Sequence, residues 1–136
     1  QKIDGVIFTG WLEKEKVIYY SLADVFVLPT LEDVWGLVVN EAMCCGLPII
    51  TTKSAGCSID LVENGNNGFI INSGDVEQLY RALLGVFESP VKWDTMSARS
   101  FEKVQRDFSV ENTVDGFLSA IKHVRGKVHG NNHDAN

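Results

Sequence analysis

The sequence predicts an α/β fold: an open parallel sheet with flanking helices, followed by a helical C-terminal part. Short apolar, partly β-branched runs recur through the first half of the chain, and none alternates polar with apolar. That is how strands buried on both faces of a parallel sheet read. Helical patterns lie between these runs, giving the strand and helix alternation that right-handed crossovers produce. At 136 residues, 45% hydrophobic and 22% charged, the chain has the size and composition of one globular domain.

The elements follow in order. Val6-Ile7-Phe8 is the first candidate strand. Residues 13–23 begin with a Glu/Lys run and then set Val17, Ile18 and Leu22 on one helical stripe. Val25-Phe26-Val27-Leu28 is the second strand, residues 37–45 form a helix apolar nearly all round, and Leu47-Pro48-Ile49-Ile50 and Gly68-Phe69-Ile70-Ile71 are the third and fourth strands. A strand spacing of about twenty residues would also suit leucine-rich repeats, but no LxxLxL pattern recurs. After Ile71 the pattern is helical. Asp75 with Gln78 makes a capping-box-like start to a helix whose buried stripe is Val76, Leu79, Leu83 and Val86. Ser89-Pro90 opens a helix with Trp93, Met96, Val104 and Phe108 on its apolar face. Ser109 caps a last amphipathic helix carrying Val110, Val114, Phe117, Leu118 and Ile121. Residues 1–125 therefore read as the domain, and residues 126–136 as a polar tail expected to be disordered.

Composition narrows the function. Twelve Lys and Arg against eighteen Asp and Glu give a net charge of −6, with no basic stripe for a nucleic-acid backbone or an anionic membrane. Cys44, Cys45 and Cys57 have no CxxC spacing and read as buried free thiols in a reducing compartment. All three histidines, His123, His129 and His133, fall in the last segment, which argues against a Ser-His or Cys-His nucleophile within the domain. There is no Asp-x-Asp pair, no HExxH and no GxxxxGK[ST], so metal-assisted phosphate chemistry and a P-loop lack their residues. No apolar run approaches the roughly 20 residues of a membrane span. The opening Gln1-Lys2-Ile3-Asp4-Gly5 is not a signal peptide, and the missing initiator Met suggests a piece of a longer protein.

The chemistry concentrates between Pro29 and Met43. This segment follows the second strand, at the carboxyl end where open α/β sheets bind their ligands. Gly36 stands just before the buried helix, so a ligand can approach the free amides of Leu37, Val38 and Val39. Such a helix start is an anion cradle, most simply for a diphosphate, although a lone glycine more often serves only a turn. Glu41 sits among Leu37, Val38, Val39, Ala42, Met43 and Cys45, so its carboxylate risks burial and needs a partner. A ribose diol would serve, as would a backbone amide or exposure to solvent. Glu32 and Asp33 are adjacent carboxylates at the mouth of the same cleft.

These residues resemble the retaining glycosyltransferases of family 4, built on the two-domain GT-B architecture. The resemblance runs from about Val6 to Val124. Its centre is an E-x7-E segment, supplied here by Glu32-Asp33-Val34-Trp35-Gly36 and Glu41-Ala42-Met43. Counting back eight from Glu41 reaches Asp33, so the first acid is either Asp33 by substitution or Glu32 through a shifted loop. Leu22-Ala23-Asp24-Val25-Phe26-Val27-Leu28-Pro29 is similar to the strand before that site, and Gly46-Leu47-Pro48-Ile49-Ile50 to the strand after its helix. Asp60-Leu61-Val62-Glu63-Asn64-Gly65-Asn66-Asn67-Gly68 is similar to a later turn, with Asp60 where the family usually has Glu.

The resemblance implies a Rossmann-like, partial C-terminal domain of a GT-B enzyme that binds a UDP-, GDP- or ADP-linked sugar. It implies that Glu41 holds the ribose hydroxyls, that the amides of Gly36, Leu37 and Val38 receive the diphosphate, and that Glu32 or Asp33 contacts the donor sugar. Thr9-Gly10-Trp11 would border the nucleobase. It implies transfer with retention to a glycan or lipid-linked acceptor in polysaccharide biosynthesis, with no metal and no other cofactor. The acceptor-binding N-terminal domain and the basic pair for the phosphates would lie outside the chain, leaving Lys53 the only base near the later loops and the piece inactive alone. A cytoplasmic location is implied, with any peripheral membrane association residing in the absent domain. A nucleotide-sugar epimerase of the same fold, a non-catalytic nucleotide-sugar-binding module and an unrelated doubly wound domain are the rival readings.

Overall fold

The computed structural model describes residues 4–130, with side chains described as far as Arg125. In chain order the elements are α1 (Lys16–Leu22), β1 (Phe26–Leu28), α2 (Leu37–Cys44), β2 (Ile49–Thr52), α3 (Ser58–Leu61), β3 (Gly68–Ile71), α4 (Val76–Val86), α5 (Pro90–Asp107) and α6 (Val110–Gly130). The strands form one parallel sheet in the order β1-β2-β3, with Phe26 opposite Ile49 and Ile49 opposite Gly68. All four residues of the central β2 are buried. Its pleat sends Ile49 to one face, with Val39, Met43, Leu61 and Val104, and Ile50 to the other, with Ile71, Ala82, Val86 and Met96. Thus α2, α3 and the second half of α5 cover one face, while α4 and the first half of α5 cover the other. Fully burying a side chain such as Ile49 or Met43 contributes roughly 1.5–3 kcal/mol, so both faces are needed to hold so short a sheet.

The helix starts follow their sequence signals. Asp75 Oδ1 accepts from the Gln78 amide at 2.9 Å, but the Gln78 carboxamide accepts from the Asn72 amide instead of reaching back to Asp75. Ser89 Oγ accepts from the Lys92 amide with Pro90 at the first helical position, and Ser109 Oγ accepts from the Asn112 amide. On α5 the expected face holds: Met96 and Val104 are buried, and Trp93 and Phe108 pack partly against the core.

Several expectations are corrected. Val6-Ile7-Phe8 is not a strand; its side chains are 47%, 84% and 89% exposed, and the sheet begins at β1. An apolar run becomes a strand only when a neighbour takes its amides and carbonyls, and among the described residues none pairs with residues 6–8. On α1 the stripe of Val17, Ile18 and Leu22 is exposed, and the helix turns Lys16 and Tyr20 inward instead. On α4, Val76 is exposed, and the packed stripe is Leu79, Ala82, Leu83 and Val86. The apolar residues of α6 from Val110 to Ile121 are exposed among the described residues. Helical backbone continues to Gly130, where a polar tail is expected from residue 126; residues 131–136 of that tail lie outside the described residues. All three cysteines are free, but only Cys57 is buried; Cys44 is exposed because it lies on the outer face of α2. Among the described residues, no helix is long and apolar enough to cross a membrane.

Candidate functional site

The loops that leave the carboxyl ends of all three strands are tied to one atom. Thr52 Oγ1, at the end of β2, donates to the Thr30 carbonyl at 2.7 Å, and Ser73 Oγ, after β3, reaches the same oxygen at 3.1 Å. Ser54 and Ser73 share a further hydroxyl contact of 2.8 Å. Thr30 Oγ1 in turn donates to the Glu32 carbonyl and accepts from the Glu32 amide, bending the chain as it leaves β1. None of these hydroxyls stands out in the sequence beyond the Ser/Thr cluster Thr51-Thr52-Lys53-Ser54 at a strand end. A cleft of about 160 Å³ between Pro29, Leu31, Thr52 and Asn72 opens here. It is smaller than an enclosed small-molecule pocket of roughly 300–1,000 Å³, and forms one compartment of an open site.

The acidic loop is laid against residues 54–57 as a short parallel ladder. The Asp33 amide donates to the Ser54 carbonyl, the Gly56 amide to the Asp33 carbonyl at 2.9 Å, and the Cys57 amide to the Trp35 carbonyl at 2.9 Å. Glycine is required at position 56, where a Cβ would stand 2.0 Å from the Val34 carbonyl oxygen. Trp35 anchors the loop from above: its Nε1 donates to Asn40 Oδ1 at 3.0 Å and its ring packs on Phe108.

This arrangement distinguishes the two acids. Asp33 Oδ1 accepts from the Trp35 amide at 3.0 Å, so its carboxylate caps the turn that presents Gly36. Glu32 is exposed, and its carboxylate has no hydrogen-bond partner among the described residues. Glu32 is therefore the acid left available to a ligand.

Gly36 has φ 89° and ψ 58°, in the left-handed region, and caps α2 without a side-chain bond. A Cβ there would stand 3.1 Å from Leu28 Cδ2 and 3.3 Å from Cys57 Sγ, so position 36 demands glycine on both conformation and space. Burial pushes the Cys57 thiol upward, which keeps it a neutral filler beneath the elbow. The Val39 amide already donates to the Gly36 carbonyl at 2.9 Å. Among the described residues, the amides of Gly36, Leu37 and Val38 have no acceptor, so the uncommitted set begins one residue earlier than helix geometry alone gives.

Glu41 is not buried among the apolar residues of α2. Val39, Ala42 and Met43 turn to the core, and helical periodicity puts Glu41 on the outer side with Leu37 and Cys44. Its partners are on α1: Lys16 Nζ donates to Oε1 at 2.5 Å, and Tyr20 hydroxyl donates to Oε2 at 3.3 Å. Tyr20 is fixed edge-on against Phe26 of β1, with ring centroids 5.6 Å apart. Burial first, and then the Glu41 charge, hold its phenol above the ordinary range. The base brought to the site is thus Lys16, not Lys53, which is exposed. Gly10 is not drawn in: it has φ 70°, open space around it, and only the Thr9 hydroxyl donating to its carbonyl. Among the described residues, no group of three His, Cys, Asp or Glu side chains could hold a metal ion.

A family model described as "Glycosyl transferases group 1" matches residues 1–89. The chain is 40% identical over 74 residues to sulfoquinovosyl transferase SQD2 of Arabidopsis thaliana, a match covering 52% of this chain and 14% of that protein. Among solved structures it is similar to a sucrose-phosphate synthase from Thermosynechococcus elongatus, with TM-score 0.78 and 27% identity over 91% of this chain and 31% of the other. It is also similar to Anabaena Alr3699/HepE in complex with UDP-glucose, with TM-score 0.64 and 27% identity over 75% of this chain and 29% of the other. Its match with SQD2 thus spans about one seventh of that relative's length.

Proposed function

The chain belongs to the group 1 glycosyl transferases, and from that premise we propose that it is the donor-binding part of an enzyme that transfers a sugar from a nucleoside diphosphate to an acceptor. Its fold is of the GT-B class, an open parallel sheet with flanking helices and a helical C-terminal part. The observation that carries the proposal is the pairing of three uncommitted amides at the start of α2 with a carboxylate on the outer side of the same helix.

In this reading the amides of Gly36, Leu37 and Val38 receive the diphosphate, and the partial positive charge of the helix start supports them. As the bond between the anomeric carbon and the diphosphate oxygen breaks, negative charge grows on the departing group. Preorganised amides stabilise that charge without reorganisation, so the step runs without a metal ion. Glu32 faces the sugar, and Asp33 holds the loop that positions it. The acceptor hydroxyl oxygen bonds to the anomeric carbon on the face the diphosphate leaves, with retention, as in family 4, and its proton passes to the departing diphosphate. Glu41 receives the ribose diol. Because HepE, 27% identical, is in complex with UDP-glucose, a uridine diphosphate donor is the first to test, ahead of GDP and ADP. The acceptor, a glycan or lipid-linked sugar, contacts chain beyond these residues, and the enzyme works in the cytoplasm.

The test is ligand-observed NMR of UDP, GDP and ADP against this chain and its Glu41→Ala variant. Selective binding that is lost in the variant supports the reading. Binding that Glu41→Ala leaves intact removes the ribose role, and silence from all three nucleotides overturns the donor site. Binding without turnover is expected of the chain alone; glycosyl transfer by it, abolished by Glu41→Ala, would overturn that part.

A further inference from the structure

We propose that Lys16 is a positioning residue that makes the Glu41 carboxylate a receptor for a vicinal diol; this rests on the donor-site reading above. Each carboxylate oxygen offers two lone-pair sites. Lys16 occupies one on Oε1 and Tyr20 one on Oε2, which leaves one site on each oxygen. Two adjacent hydroxyls on a sugar ring are spaced to donate one bond to each. The two α1 contacts also stop the carboxylate from rotating, because Tyr20 is held against Phe26 and Lys16 and Tyr20 lie one helical turn apart.

The ammonium has a further effect. Lys16 and Glu41 side chains are 36% and 38% exposed, so the pair sits where solvent still reaches and its own attraction is weak. Its consequence is the orientation of the Glu41 carboxylate. The sequence pattern of α1 hides this role, since Lys16 closes a Glu/Lys run that reads as a solvated surface. Among the described residues no other base contacts Glu41.

The experiment measures dissociation constants of UDP, GDP and ADP, and of the 2′,3′-dideoxy form of each, for the chain and for Lys16→Met, Lys16→Arg, Glu41→Ala and the Lys16→Met/Glu41→Ala double variant. Lys16→Met is expected to weaken the preferred ribonucleotide about fivefold, the size of a partly exposed charged hydrogen bond, and to leave its dideoxy form unchanged. Lys16→Arg is expected to restore binding. In the Glu41→Ala background Lys16→Met is expected to add nothing, because it acts through that carboxylate. Equal weakening of the ribo and dideoxy forms, or full additivity in the double variant, overturns the inference while the donor site stands. If the unmodified chain does not distinguish ribo from dideoxy forms, the ribose role of Glu41 fails and this inference fails with it.

Discussion

Replacing Gly36 by alanine separates backbone strain from crowding at the elbow. The left-handed conformation of Gly36, φ 89° and ψ 58°, costs an L residue roughly 1–2 kcal/mol. The added methyl also meets Leu28 Cδ2 at 3.1 Å and Cys57 Sγ at 3.3 Å. Neither can retreat freely, since Cys57 is fully buried and Leu28 packs against the same core. Overpacking of that kind adds roughly 1–3 kcal/mol, so Gly36→Ala is expected to cost about 2–5 kcal/mol in all. Gly65 is the internal reference, with φ 74° and no atom within 4 Å of a built Cβ. Gly65→Ala therefore carries the backbone cost alone, roughly 1–2 kcal/mol. Urea unfolding followed by circular dichroism measures both, and an unchanged slope makes the midpoint shift a stability difference. A loss at Gly36 no larger than at Gly65 refutes the claim that Leu28 and Cys57 enclose the elbow.

Three further outcomes follow from the same contacts. Asp33→Ala removes the acceptor of the Trp35 amide and is expected to cost about 1 kcal/mol, as loss of a cap does, while Glu32→Gln stays within about 0.5 kcal/mol; equal losses in the urea titration would sink the division of roles between the two acids. Thr52→Val removes one of two hydroxyls on the Thr30 carbonyl and is expected to cost about 1 kcal/mol and to speed amide hydrogen exchange at residues 31–35; unchanged exchange there would break the link between β2 and the acidic loop. The Lys103 ammonium, hydrogen-bonded to Glu63 at 2.9 Å, and then the Asn66 amide hold the Glu63 carboxyl below the ordinary range. Its folded-state value is lowered, so its contribution is present above the ordinary carboxylate range and is lost as pH falls through the lowered value. Because Glu63 is half exposed, Glu63→Gln is expected to cost only about 0.5 kcal/mol near pH 7, and the gap to the unmodified chain should close in acid; a gap that persists there would show that the loss is not electrostatic.

The sequence by itself determined what is decided within a few residues. Unbroken apolar runs marked β1, β3 and the first half of β2 as parallel strands; β2 starts two residues later than its run, at Ile49, and continues through the buried Thr51 and Thr52 because the sheet pairing sets its ends. Asp75, Ser89 and Ser109 marked three helix starts, because a side-chain oxygen caps an amide two or three positions ahead whatever lies beyond. The order of strand, acidic loop, glycine and helix put the candidate site at the carboxyl end of β1, and Gly36 at its elbow.

Only the tertiary structure decided what depends on residues distant in the chain. Val6-Ile7-Phe8 has the composition of a strand, but a strand also needs a neighbour, and among the described residues none pairs with it. The stripes of α1 and α4 were turned by what each helix packs against, which moved Val17 and Val76 outward and Tyr20 and Ala82 inward. Glu32 and Asp33 are adjacent and chemically alike; the ladder to residues 54–57 and the Trp35 amide engage Asp33 and leave Glu32 exposed. Glu41 found its partners 25 and 21 positions back, on a helix whose charged start read as surface. Side-chain contacts between residues far apart in the chain carry no periodicity along it, so the site's location was written locally while the partners of each carboxylate were set only when α1, α2 and the three strand-end loops came together.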